Sequence, residues 1–336
     1  MLSRQNWLSG LVLSGLLLTA CSGERSDHVL DFNALGTEVS VTLYYVDADD
    51  ADRASMQLQQ YFADVGHHWY PWSEGELRAV NIALELQDSI AVSPRLAAVI
   101  RRAAQLEKSS DNYFNAGLGR VIELWGLHRI GDAPPPMPNA NDIARALSQS
   151  IGASNIRWNG DEIVGAPPGL MLDLGGIAKG AILEDAAIIL RGLGIEHAIV
   201  NIGGDLMVIG EPEDRPANIG IRSPFEEEAI AGVDIVPGET IVTSGNYERY
   251  VQIDGTRYAH VLNPRTGLPV NHTSSVTVIH TDAMLADAAA TALMAGGPEQ
   301  FERLTAAMGI EYALLIDASG ELSLTNEMDY RLNWLQ

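Results

Sequence analysis

The sequence predicts a mixed α+β fold in two lobes, and three observations carry that. Segments of helical period and segments alternating polar with apolar residues are interspersed from end to end. Strand patterns crowd the second half, and no stretch repeats at a short fixed period, which removes solenoids and propellers. The 336 residues are 46% hydrophobic, enough for a sizeable core, while 32 glycines supply tight turns. Such a composition excludes a disordered or fibrous chain.

The first twenty residues stand outside that fold. Arg4 is their only charge, and the apolar run from Leu8 to Leu18 is too short to span a bilayer. It reads as a signal-peptide core, and with no twin-Arg pair the general secretory route is favoured. The run ends Leu18-Thr19-Ala20-Cys21, which resembles a bacterial lipobox, the signal at which a peptidase cuts before Cys and the Cys is lipidated. An ordinary signal peptide ending near a free thiol is the alternative. Cys21 is the sole cysteine, so no internal disulfide and no site of several thiolates can form. The organisation expected is a signal peptide over 1–20, a polar tether over 21–30 and one domain over 31–336. Ser22, by resemblance to such signals, directs the anchored protein to an outer membrane, with the inner membrane left open; either way it faces the periplasm.

The elements follow in order. Residues 38–46 alternate, with Val39, Val41, Leu43 and Tyr45 on one face of a half-buried strand. Residues 49–68 form a helix with Leu58, Phe62 and Val65 on one side, and 94–108 a second with Pro94 in its first turn. Three consecutive prolines make 133–138 an exposed loop. Asn141 reads as the cap of a short helix ending before Gly152, and Asn159-Gly160 as the turn of a hairpin over 156–164. Residues 171–175 read as a strand running into a glycine turn and a helix to about Arg191. Residues 197–202 form an apolar strand ending in Gly203-Gly204. Strands follow near Ile219, Val233, Ile241, Tyr250 and Val261, with a turn at Asp254-Gly255, and then at 274–280. Helices over 285–295 and 298–308 come last.

With 21 basic against 44 acidic residues, the net charge of −23 repels nucleic acid and anionic membrane surfaces. An anionic ligand must be held by a local device. The basic residues are nearly all Arg, the lysines being Lys108 and Lys179 alone.

Three segments could carry chemistry. In Asp173-Leu174-Gly175-Gly176-Ile177-Ala178-Lys179-Gly180 a glycine turn opens a helix whose free N–H groups suit a phosphate, with Lys179 in its first turn. The glycines match neither the Walker nor the dinucleotide fingerprint, and a plain tight turn is the alternative. In Asp287-Ala288-Ala289-Ala290-Thr291 a carboxylate and a hydroxyl four apart share one face of an apolar helix. That is hard-oxygen chemistry fit for Mg²⁺, the alternative being a helix-end Asp and a Thr bonded to its own backbone. His260, before an Asn263-Pro264-Arg265-Thr266-Gly267 turn, is the natural general base, or else a hydrogen-bonded structural histidine. His67 and His68 point apart on a helix, and the remaining histidines show no ligand spacing.

Together these segments resemble one family, the bacterial periplasmic FAD:protein FMN transferases of the ApbE type. The resemblance runs in order over nearly the whole mature chain. It passes through Leu35-Gly36-Thr37, Trp69 to Glu74, Tyr113-Phe114-Asn115, Leu124-Trp125-Gly126 and Asp173 to Gly180. It continues through Asn201 to Asp205, Thr243-Ser244-Gly245, His260 to Gly267, Ser275 to Val278 and Ala286 to Leu293. It implies a two-lobed α+β fold of mixed or antiparallel sheets with flanking helices and FAD in the interlobe cleft. It implies Mg²⁺ held by Asp287, Thr291 and the carbonyl of Gly176, and FAD contacts from Leu35, Trp69, Tyr113, Phe114, Asn115, Asp173, Lys179 and Leu262. It makes 31–336 a catalytic domain that moves FMN onto a Thr or Ser hydroxyl of an extracytoplasmic protein and releases AMP. Acceptors of the family include flavin-bearing subunits of Na⁺-pumping quinone reductases and Rnf-type complexes. Leu35 stands where the family commonly has Met, and Asn115 and Asn263 where it usually has Asp. His260 and Asp287 are the catalytic candidates, as base and as cation holder. Two competing readings use the same site: a metal-dependent FAD pyrophosphatase with water as acceptor, and a flavin-binding lipoprotein without catalysis.

Overall fold

The computed structural model describes residues 25–128, 136–211, 216–247 and 249–335. The signal peptide, Cys21 and residues 133–135 of the proline-rich loop lie outside the described residues. The chain opens with the hairpin β1 (Ser26–Ala34) and β2 (Thr37–Val46), followed by α1 (Ala48–His68) and α2 (Glu76–Leu86). Next come β3 (Ile90–Ala91), α3 (Pro94–Ser109), α4 (Gly119–Trp125), α5 (Ala140–Gln149), β4 (Arg157–Asn159) and β5 (Glu162–Gly165). After α6 (Ala178–Gly192), seven strands run in succession. They are β6 (Ala198–Ile202), β7 (Asp205–Ile209), β8 (Ala217–Arg222), β9 (Ala229–Ile235), β10 (Thr240–Gly245), β11 (Tyr250–Ile253) and β12 (Thr256–Ala259). The chain closes with β13 (Thr273–His280), α7 (Ala283–Gly296), α8 (Phe301–Met308), β14 (Tyr312–Asp317), β15 (Leu322–Leu324), α9 (Asn326–Arg331) and β16 (Leu332–Trp334).

The expected α+β class is what the chain adopts. One sheet of eight strands has the order β1-β2-β6-β7-β10-β13-β14-β15, and every neighbouring pair in it is antiparallel. Small sheets β3-β5-β4 and β16-β9-β8 and the hairpin β11-β12 flank it. Two cores result. One joins α2, α3, α7 and α8 through residues such as Leu96, Ile100, Val276 and Leu293. The other joins α1 and α6 to β2 and β6 through Leu43, Leu58, Phe62, Leu190 and Val200. Trp69 and Ala178 pack against both, so they mark the seam between the lobes.

Helix α7 is the hub. Eleven of its residues are buried, from Ala283 to Ala295, because its side chains are small enough to let β10, β13 and α6 close on it. Strand β13 is buried along both faces up to Ile279, so its Ser and Thr residues face protein, not water.

Four details differ from expectation. Tyr45 leaves the buried face of β2: its φ of 58° and an irregular register against β1 turn it outward and bury Val46 instead. The cap of α5 is Asn139, whose Oδ1 accepts from the N–H groups of Asn141 and Asp142. Residues 171–175 form no strand beyond a single parallel bridge between Leu118 and Met171. The reason is that the Asn81 side chain takes both backbone groups of Leu172, at 2.9 and 2.7 Å, as a partner strand would. The strand near Val261 likewise stops at Ala259, and Val261 keeps one hydrogen bond, to Val270, beside the Leu262–Pro269 bridge.

Candidate functional site

The site begins where α6 and α7 meet. A Cβ at Gly180 would lie 2.2 Å from the carbonyl oxygen of Ala283, so only glycine lets the two helix starts close. That approach brings Asp287 to the first turn of α6, where its Oδ2 accepts the Gly180 N–H at 2.9 Å. No side chain of its own caps α6, so a buried carboxylate from α7 serves its N-terminus.

Lys179, in that same turn, places its Nζ 2.5 Å from Oδ2 of Asp205. Asp205 is fully buried at the start of β7, just past the Gly203-Gly204 turn, where both glycines have positive φ. Its Oδ1 accepts from the Thr243 N–H at 3.0 Å, and the Thr243 hydroxyl pairs with that of Thr277 at 2.9 Å. Burial pushes the Asp287 carboxyl above the usual range and Asp205 adds to this, while Lys179 opposes it. Two buried carboxylates thus share one ammonium, an arrangement short of positive charge.

Gly176 and Thr291 complete the cluster. A Cβ on Gly176 would sit 2.9 Å from Oγ1 of Thr291 and 3.2 Å from the Phe114 ring, so the glycine leaves a cradle that any side chain would fill. The turn itself is shaped by Asp173, whose Oδ1 accepts the Gly175 N–H at 2.9 Å and whose N–H donates to the Ala116 carbonyl at 2.8 Å. A carboxylate, a hydroxyl and a peptide carbonyl form a hard-oxygen set that fits Mg²⁺. Among the described residues no group of three or more His, Cys, Asp or Glu side chains could hold a metal.

His260 follows β12. Its backbone N–H donates to the Arg249 carbonyl at 3.1 Å, and its Nδ1 lies 3.1 Å from the same oxygen. A carbonyl only accepts, so the proton is assigned to Nδ1 and Nε2 keeps the lone pair. Burial pushes the imidazole pKa down to about 4, with the charges of Arg249 and Lys179 adding and the Arg249 carbonyl opposing. The ring is therefore neutral at pH 7. Arg249 also donates from Nη2 to the Gly36 carbonyl at 3.3 Å, which ties the 35–36 turn to this corner. Leu35, at φ 57°, rests on Gly66 of α1, and Trp69 ends α1 with its N–H on the Val65 carbonyl.

The other expected flavin contacts are placed differently. Asn115 has both ends engaged: Oδ1 accepts from the Gly117 N–H at 2.7 Å and Nδ2 donates to the Ser150 carbonyl at 3.1 Å. Leu262 is 4% exposed and packs with Leu118, Val121 and Trp125. Tyr113 is buried beneath the Arg265 guanidinium, 4.5 Å from its ring centre. A shallow, open cavity of about 620 Å³ is lined by His68, Glu74, Gly75, Glu76, Arg78 and Ile82, and not by Trp69. It takes in none of the charged cluster.

Asp205, Arg249 and Asn81 carry geometry that sequence reasoning did not assign to them. For Asp205 a signal existed: it is a lone acid opening an apolar strand after two glycines.

The family model described as the ApbE family matches residues 35–314. A Rhodobacter capsulatus protein named FAD:protein FMN transferase is 35% identical over 327 residues, covering 96% of this chain. The chain spans 62% of that relative's length. A Vibrio cholerae protein of the same name is 30% identical over 302 residues, covering 88% of this chain and 89% of that one. The crystal structure of an ApbE protein from Thermotoga maritima superposes with a TM-score of 0.83 at 27% identity, covering 91% of this chain and 99% of the other. The apo form of the Pseudomonas stutzeri flavinyl transferase ApbE superposes at 0.78 and 26%, covering 91% and 97%.

Proposed function

Because the chain belongs to the ApbE family, we propose that it is an FAD:protein FMN transferase, moving FMN from FAD to a Thr or Ser hydroxyl of an extracytoplasmic acceptor and releasing AMP. The observation that carries this is the convergence of Lys179, Asp205, Asp287, Thr291 and Gly176 where α6 meets α7. This is how a chain of −23 holds a pyrophosphate.

Asp287, Thr291 and the Gly176 carbonyl are the residues that would hold Mg²⁺. When bound, the ion neutralises pyrophosphate charge and favours AMP as the leaving group. Lys179, held against Asp205, would offer its ammonium to the same anion, and the start of α6 would add its N–H groups. His260 takes the acceptor hydroxyl proton on Nε2. The hydroxyl oxygen then bonds to the FMN phosphorus, and the bond from that phosphorus to the bridging oxygen breaks, that oxygen leaving with AMP. Trp69, which packs against both cores, would meet the flavin end. Cys21 anchors the enzyme by lipid to the periplasmic side of the cell envelope, where flavin-bearing subunits of Na⁺-pumping quinone reductases or Rnf-type complexes are acceptors.

The test is AMP release from FAD, followed by chromatography with and without Mg²⁺ and acceptor. The reading expects AMP only when both are present. AMP and free FMN in equal amounts without acceptor would make the chain a pyrophosphatase, and intact bound FAD would make it a flavin carrier.

A further inference from the structure

The helix end that precedes the 113–117 loop carries a carboxylate that none of the chemistry above uses. Glu107 is fully buried in the last turn of α3, on the stripe of Ile100 and Ala103. Its Oε1 accepts the N–H groups of Ala116 at 3.1 Å and Ala153 at 2.8 Å, and its Oε2 accepts that of Ser154 at 2.9 Å. None of the ion pairs among the described residues involves it. The fit is close: a Cβ on Gly152 would lie 2.7 Å from Oε2, and one on Gly117 would lie 2.7 Å from the Gly152 nitrogen. One anion therefore fastens two backbone segments 37 residues apart (Ala116 and Ala153).

Through Ala116 the fastening reaches the flavin site. The Ala116 carbonyl accepts the N–H of Asp173, whose side chain shapes the Gly175-Gly176 turn. Next to Ala116 stands Asn115, which must donate to the Ser150 carbonyl as well as accept from Gly117. A carboxylate at 115 has no hydrogen for Ser150 and would flank the 115–116 peptide with a second, half-buried anion.

We propose that Glu107 is a positioning residue for flavin binding, its carboxylate fastening the 113–117 loop to the 152–154 turn and requiring a neutral amide at position 115. The flavin part rests on the transferase reading, but the fastening does not.

The experiment uses the mature chain, with FAD as the probe, and compares wild type with E107Q, N115D and the double variant. In E107Q the amide of Gln faces the Ser154 N–H, donor against donor. Hydrogen exchange at Ala116, Ala153 and Ser154 is expected to quicken by about tenfold or more, while Val276 and Val278 in β13 keep their protection. FAD Kd rises about tenfold, and the single-turnover rate at saturating FAD stays within about threefold, as for a group that acts on binding through others. N115D weakens FAD by a similar factor. The double variant loses about fivefold less than the product of the two single losses, because only one anion then flanks the 115–116 peptide. N115D keeps Glu107 in place and tests the pair even if E107Q does not fold. Unchanged exchange at the three amides in E107Q, or losses that simply multiply, would overturn the proposal. Wild-type protein that binds no FAD would overturn the flavin part, while the exchange result, which needs no flavin, still decides the fastening.

Discussion

Asp287 and Glu107 are both carboxylates on buried helix faces, and burial raises the pKa of each. Their surroundings are opposite in kind. Glu107 receives three backbone N–H groups and has no second acid pressing on it. Asp287 accepts the Gly180 N–H, lies near a second buried acid, Asp205, and shares the one ammonium of Lys179 with it. A buried anion whose donors are complete is part of the scaffold, because its hydrogen bonds already replace the water it lost. A buried anion left short of donors and of positive charge, with a hydroxyl beside it, is the kind of group that the proposed cation would pair with. The same residue chemistry therefore separates into structure and function by what surrounds it.

The largest expected effect follows from that contrast. Asp287→Ala should cut FAD cleavage by about 10³-fold or more, since a held cation supplies several kcal/mol at about 1.4 kcal/mol per factor of ten. It should change the melting temperature little, because removing a charge that Asp205 repels offsets the buried Gly180 N–H left without its acceptor. Cleavage in that variant that still rises with added Mg²⁺ would place the metal elsewhere and dissolve the contrast.

His260→Ala comes next. Transfer should fall by about 10²–10⁴-fold, the usual share of a general base, with FAD affinity nearly intact. Joint loss of FAD binding and thermal stability would make the imidazole structural instead. Single-turnover transfer and FAD titration on one preparation separate the two.

Lys179→Met sharpens the charge argument. Asp205 is fully buried, so losing its ammonium should cost about 2 kcal/mol of stability, less than a wholly buried pair because Lys179 is 30% exposed. FAD use should fall by about tenfold, near 1.4 kcal/mol. Adding Asp205→Asn should restore the unfolding midpoint but not FAD use. A single variant that unfolds like wild type would mean the pair contributes nothing to the fold.

The smallest effect is one of pH. The imidazole acts when neutral, so kcat/KM should rise with pH through its pKa and then level. That pKa is pushed down to about 4 from the ordinary 6.5. The profile should therefore be flat around neutrality and fall only in acid, since kcat/KM reports the free enzyme. A rising limb at 6.5 or above would contradict the crowded, cation-flanked setting of His260.

What the sequence disclosed follows local chemistry. Asp287 and Thr291 stand out because nothing else in their helix is polar, and Lys179 because it follows two glycines. Glu107 was hidden among the polar residues Gln105 and Lys108 at the end of its helix, although its spacing from Ile100 and Ala103 puts it on the buried stripe. Residues 171–175 read as a strand because Met171, Leu172 and Leu174 make them mostly apolar. Their partner is the side chain of Asn81, 91 residues away, which no local pattern reveals. The sheet order carries the same lesson, since β2 pairs with β6 and β13 with β10 and β14 across long separations. Helix α2 lacked its usual mark, as Gly75 caps it without a side-chain hydrogen bond.

The central claim is transfer, and the most direct measurement is the covalent state of the acceptor. A purified Thr-bearing flavin subunit is incubated with the enzyme, FAD and Mg²⁺, denatured, and read by in-gel fluorescence and intact mass. The account predicts a fluorescent acceptor heavier by one phosphoester-linked FMN, one AMP released per FMN attached, and neither in Asp287→Ala. An unmodified acceptor beside free FMN and AMP would contradict it.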